Sequence, residues 1–118
     1  MPNQLQVPAA SPWTDHVEAL TQKIADILTE KMDASMVWLF GSYARGDAGP
    51  DSDVDFLVVV PTSSKTRYQR AVEALYHTND IHIPKDIIVL TQAEWEKHLK
   101  APSSLGSIVL REGVILAP

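Results

Sequence analysis

Cysteine is absent from this 118-residue chain, which excludes disulfides and thiolate zinc sites and suits a reducing, cytoplasmic setting. Long apolar runs are missing too: no aliphatic stretch approaches the ~20 residues needed to cross a bilayer. The opening residues carry Pro2, Pro8 and Pro12 and lack the basic and apolar blocks of an export signal, so residues 1–11 read as a flexible N-terminal arm. Positive charge is scarce. Ten Lys and Arg face 15 Asp and Glu, giving a net charge of −5, which argues against a broad phosphate-neutralising surface and against stable nucleic-acid binding. His16, His77, His82 and His98 are scattered without zinc-ligand spacing and read as surface or satisfied core residues. There are no repeats and no low-complexity tracts.

What is present fits one compact domain over residues 12–118, with a hydrophobic content of 45% that supports an ordinary core. Ser11-Pro12 offers a cap and first-turn proline, after which Trp13, Val17, Leu20, Ile24, Ile27 and Leu28 recur at helical spacing. Met36 to Phe40 and Val54 to Val60 are short apolar runs with the character of buried strands. Pro61 to Ser64 reads as a loop and cap, followed by a second helix marked by Tyr68, Val72, Leu75 and Tyr76. The basic set Lys65, Arg67 and Arg70 reads as the solvated face of that helix. A further strand over Ile81–Leu90 follows, then a capping box at Thr91–Glu94 that opens a short helix containing Trp95 and Leu99. Leu105, Ile108 and Val109 predict one more helix, with Gly113 as its stop and Val114–Leu116 as a last strand. Trp13, Trp38 and Trp95 read as core or core-edge residues. The order implies an α+β fold, a small mixed β-sheet flanked by helices.

The segment from Gly41 to Asp55 carries the chemistry. Residues two apart on a strand share a face, so Asp53 and Asp55 project together while Val54, Phe56 and Val58 project the other way. Magnesium takes hard oxygen ligands and commonly binds one or two carboxylates while leaving positions for water and phosphate oxygens. The Gly41-Ser42 turn offers the complementary half, since glycine admits close backbone approach to a phosphate and the N–H groups at a helix start favour anions. Two alternative loops fail. An EF-hand would need glycine where Phe56 stands and glutamate where Thr62 stands, and no Gly-Lys-Ser/Thr follows to make a Walker loop. Carboxylates beside a strand as apolar as Phe56–Val60 are costly unless a metal or donors satisfy them. Asp86 stands at the start of its own apolar run as Asp55 does. If the two strands are neighbours, Asp86 joins the pair, and three carboxylates could hold two metals ~4 Å apart for an in-line displacement at phosphorus. Its alternative reading is a strand-entry residue paired with Lys85 or capping a turn.

Gly41-Ser42, then ten residues, Asp53-Val54-Asp55 and the later Asp86 together resemble the nucleotidyltransferase superfamily related to DNA polymerase beta. The fuller string Gly-Ser-x-Ala-Arg-Gly-Asp over Gly41 to Asp47, with Ser52 to Asp55, is most similar to the minimal nucleotidyltransferase branch. The resemblance spans roughly Met36 to Leu90. It implies a polymerase-beta-like nucleotidyltransferase fold for residues 12–118, with Gly41 and Ser42 holding a nucleoside triphosphate. Asp53 and Asp55 would bind one or two magnesium ions, and Asp86 would complete the metal site or help activate the nucleophile. Arg45 would contact phosphate, its alternative being a solvated residue paired with Asp47.

The implied reaction is attack of an acceptor hydroxyl on the α-phosphorus of ATP with loss of pyrophosphate. Larger relatives hold the acceptor with a second domain for which this length leaves no room, so a partner or self-association is expected to complete the acceptor site. Within the minimal branch the expected acceptor is a tyrosine of a HEPN-family ribonuclease toxin, which gives the chain an antitoxin role as a protein adenylyltransferase. Two other functions remain open: transfer to a small molecule, with a homo-oligomer forming the pocket, and a non-catalytic binding module that neutralises its partner by occlusion.

Overall fold

The computed structural model describes the backbone of residues 12–118 and side chains from residue 16 onward; the N-terminal arm and the side chain of Trp13 lie outside the described residues. Helix α1 (Pro12–Met32) is followed by strand β1 (Met36–Phe40), the short helix α2 (Ser42–Arg45) and strand β2 (Val54–Val60). Helix α3 (Arg67–His77) leads to β3 (Lys85–Thr91), and α4 (Gln92–Leu99), α5 (Leu105–Glu112) and β4 (Val114–Ala117) complete the chain. The sheet order is β3-β2-β1-β4. β1 runs antiparallel to β2 and β4, while β2 and β3 are parallel, as a strand–helix–strand crossover through α3 requires. The architecture is the expected α+β arrangement with a mixed sheet.

From Phe56 to Val60, β2 reads as one unbroken apolar run because both its faces are covered. Phe56, Val58 and Val60 pack with Val17, Ile24 and Leu28 of α1 and with Ala74 of α3. Leu57 and Val59 pack on the opposite face with Leu90, Trp95 and Val109, beneath α4 and α5. Trp38 joins this second cluster with its ring centroid 6.1 Å from that of Trp95. Its indole N–H is buried without a partner among the described residues.

α3 departs from expectation in its orientation. Its N-cap is Thr66, whose hydroxyl accepts from the Gln69 N–H while Gln69 reaches back to the cap, so the serines before it do not cap the helix. The residues that mark the helix in the sequence face outward: Tyr68 is 78% exposed, Val72 46%, Leu75 39% and Tyr76 70%. Arg70, expected in the solvated set with Lys65 and Arg67, is instead buried. Its guanidinium forms a two-pronged contact with the Glu94 carboxylate at 2.7 and 3.1 Å and also donates to the carbonyls of Val89 and Lys65. These bonds replace the water lost on burial, which is the condition under which an interior charge is tolerated. The same Glu94 accepts from the Thr91 N–H in the capping box of α4. Arg70 first, then this backbone bond, hold the Glu94 carboxyl down at about 2.

Candidate active site

One row across the sheet organises the site. Phe40 of β1 is opposite Asp55 of β2, and Asp55 is opposite Asp86 of β3. Adjacent strands lie about 4.8 Å apart, so the parallel β2–β3 register sets the two carboxylates on neighbouring strands. The Val54 N–H donates to the Pro84 carbonyl at 2.9 Å, fixing the register one residue ahead of the pair. Asp53 lies just before β2 and is exposed, Asp55 is half-buried, and Asp86 is exposed. The Asp55 carboxyl is raised above the usual carboxylate range, first by burial, then by the charges of Asp86 and Asp53, while Arg45 opposes the rise. Asp53 and Asp86 therefore both act electrostatically on Asp55. Lys85 does not pair with Asp86: its ammonium donates to the Ile81 carbonyl at 2.9 Å, and Asp80 is the acidic charge acting on it.

Directly after Phe40 the chain turns into α2. Gly41 adopts φ 76° and ψ −153°, a combination open essentially to glycine alone. A Cβ at this position would land on Asp55 Oδ2, so the turn and the half-buried carboxylate occupy one closely packed unit. The short helix is closed by Arg45 N–H to the Gly41 carbonyl at 3.0 Å and by Gly46 and Asp47 N–H groups to the Ser42 carbonyl. Gly46 is left-handed at φ 86°. Further on, the Ser52 hydroxyl accepts from the Gly49 N–H at 2.9 Å, folding the loop back toward Asp53. Arg45 makes a 3.3 Å contact with Asp47 in which both side chains are at least half exposed, a pairing of little strength. Since it also acts on Asp55, its guanidinium remains within electrostatic reach of the carboxylates.

Tyr43 was not singled out by sequence reasoning. It is buried on α2, and burial followed by the Asp53 charge raises its hydroxyl above the ordinary tyrosine value. The only signal for it was its place inside the Gly41–Asp47 string. A groove of about 430 Å³ lined by Arg67, Tyr68, Ala71 and Asp86–Val89 opens beside the third carboxylate.

Among the described residues no three acidic or histidine side chains form a ready-made metal cage. The donor set nevertheless fits a divalent cation that is shared with a substrate: hard carboxylate oxygens from Asp53, Asp55 and Asp86, with Asp53 and Asp86 both repelling Asp55, and phosphate and water expected to fill the remaining positions.

This juxtaposition of an acidic row and a glycine turn has a chemistry suited to phosphoryl transfer. A sequence model of the nucleotidyltransferase domain family matches residues 21–114, and the chain belongs to that family. A Methanocaldococcus jannaschii protein provisionally assigned as a protein adenylyltransferase is 48% identical over 44 residues, covering 37% of this chain and 42% of that protein's length. The crystal structure of a provisionally assigned nucleotidyltransferase from Sulfolobus solfataricus aligns with a TM-score of 0.59 and 22% identity, covering 86% of this chain and 80% of that one. That likeness shows the shared fold, in agreement with the polymerase-beta-like expectation. No helix among the described residues is long and apolar enough to cross a membrane.

Proposed function

We propose that this nucleotidyltransferase transfers AMP from ATP, with magnesium, to a hydroxyl of a protein acceptor, and that the acceptor is a tyrosine of a HEPN-type ribonuclease toxin that the modification silences. The observation that carries the reading is the row linking Phe40, Asp55 and Asp86, with the Gly41-Ser42 turn packed against Asp55. The name of the archaeal relative supports a protein acceptor. The toxin partner rests on the motif resemblance.

In this reading the Gly41-Ser42 backbone and the Ser42 hydroxyl bind the triphosphate, and Arg45 neutralises part of its charge. Asp53, Asp55 and Asp86 would hold the metal, which when bound would neutralise negative charge on the phosphates. Asp86 also receives the proton of the acceptor hydroxyl. The new bond joins the acceptor oxygen to the α-phosphorus, the bond from that phosphorus to the β-phosphate oxygen breaks, and pyrophosphate departs. Such a transfer relies on positioning and charge neutralisation, which matches a site containing few other chemical groups.

The test is to incubate the chain and its Asp53→Ala/Asp55→Ala variant with magnesium, source-cell lysate and ATP labelled at the α-phosphate. Label on a discrete protein band, lost in the variant, is expected. Label on small molecules alone would overturn the protein acceptor, and no transfer by folded protein would overturn the enzymatic reading.

A further inference from the structure

Helix α3 presents to solvent a face that the protein's own fold does not use. Tyr68, Val72 and Tyr76 form a single i, i+4, i+8 ridge, flanked by Leu75, and all four are exposed. Tyr68, Val72 and Tyr76, with Lys65, Gln69 and Glu73, line a concavity of about 520 Å³. Contiguous apolar area of this kind on a water-facing helix marks an interaction surface. We propose that the occupant of this face is the same face of a second copy, with the two α3 helices antiparallel about a two-fold axis at Val72.

The arrangement of residues along the helix selects that partner. Tyr68 and Tyr76 stand four residues on either side of Val72, so the axis exchanges them. Each tyrosine ring then meets the other copy's second tyrosine, and Val72 meets Val72 of the second copy. Charge follows the same symmetry. Lys65, ahead of α3, and Asp80, just beyond its end, are both exposed and stand seven and eight residues from Val72. An antiparallel pair therefore brings each Lys65 toward Asp80 of the second copy, whereas a parallel pair would set like charges together. This is the self-complementarity that an isologous interface demands. A single helix face buries less than the ~800 Å² per partner of a standard interface, so the dimer is reversible and depends on concentration. It lies on the α1–α3 side of the sheet, opposite the face to which Asp55 and Asp86 belong. Tyr68 also lines the groove beside Asp86, so the variants that test the dimer change Val72, Lys65 and Asp80 and leave Tyr68 in place.

Sedimentation velocity on the full chain over a range of concentrations is the test, alongside circular dichroism to show that each variant is folded. Dimerisation is expected in the wild type and is expected to weaken at least about tenfold in Val72→Glu, which places two like charges on the axis. Lys65→Glu and Asp80→Lys should each weaken it alone. An equimolar mixture of those two variants should restore it, because every cross-axis pair is then opposite in charge. Repair by mixing cannot come from contacts within one chain, such as the 2.7 Å Lys65–Glu73 pair. A wild type that stays monomeric at every concentration would overturn the proposal. So would a dimer indifferent to Val72→Glu, or a monomer whose α3 face binds a different protein.

Discussion

Replacing Gly41 by alanine probes the closest packing in the site and separates stability from chemistry. The glycine holds φ 76° and ψ −153°, and confining an L-residue to such a region costs about 1–3 kcal/mol. At roughly 4 °C per kcal/mol for a domain of this size, the melting temperature should fall by roughly 4–12 °C. The new methyl would also clash with Asp55 Oδ2 and stand 3.2 Å from its Cγ, so the carboxylate must rotate away. A displacement of about 1 Å at a reacting centre lowers rates on the order of 100-fold. Thermal melting and α-phosphate transfer are to be measured on the same preparations, at temperatures where the variant is fully folded. Gly49→Ala serves as the control, because its added Cβ meets nothing within 4 Å and its φ is not positive. A Gly41→Ala protein that melts and transfers like the wild type would refute both the strained turn and its coupling to Asp55. One that melts lower yet transfers normally would refute the coupling alone.

The remaining predictions concern charge. Glu94→Ala leaves the buried Arg70 without its carboxylate, and removing one member of such a pair should destabilise the protein by about 3 kcal/mol, read from urea unfolding. The Glu94 carboxyl sits at about 2 against an ordinary 4.5. The stability it contributes is thus complete above pH 4.5 and is lost as the pH falls toward 2; Glu94→Gln should lack that part of the acid dependence. Asp55 has the opposite sign. Its carboxyl is raised by burial and by Asp86 and Asp53, so the fold favours the protonated form and loses stability as the pH rises through the raised value. Asp55→Asn is accordingly expected to melt higher than the wild type at neutral pH while losing transfer. A lower melting temperature would contradict the repulsion inferred at the site.

The Gly41–Asp55 half of the site was legible because its geometry is local: a turn, a short loop and a strand alternation of two residues. Asp86 was legible only conditionally, since its place depended on β2 and β3 being neighbours, and the crossover through α3 made them so in a register that sets Asp55 against Asp86. The orientation of α3 could not be read in the same way. Hydrophobic spacing shows that a helix exists, but the face that packs here is built from Ala74 and Arg70. The burial of Arg70 depends on Glu94 and on a carbonyl at Val89, 24 and 19 residues away. No local pattern encodes such a partner. The capping box at Thr91–Glu94 was visible, yet the second task of its glutamate was not.

That shared glutamate ties together three elements that lie far apart in the chain. One carboxylate binds the first turn of α4 to a guanidinium from α3, which in turn grips the C-terminal half of β3. The clasp lies at the end of the sheet away from the acidic row. The parallel pair β2–β3 is thus anchored at one end like a pair of tines, while at the other the carboxylates sit beside the 46–53 loop and the connection from α3 to β3. In the proposed reaction, whatever adjustment a triphosphate demands would fall at the open end, away from the clasp.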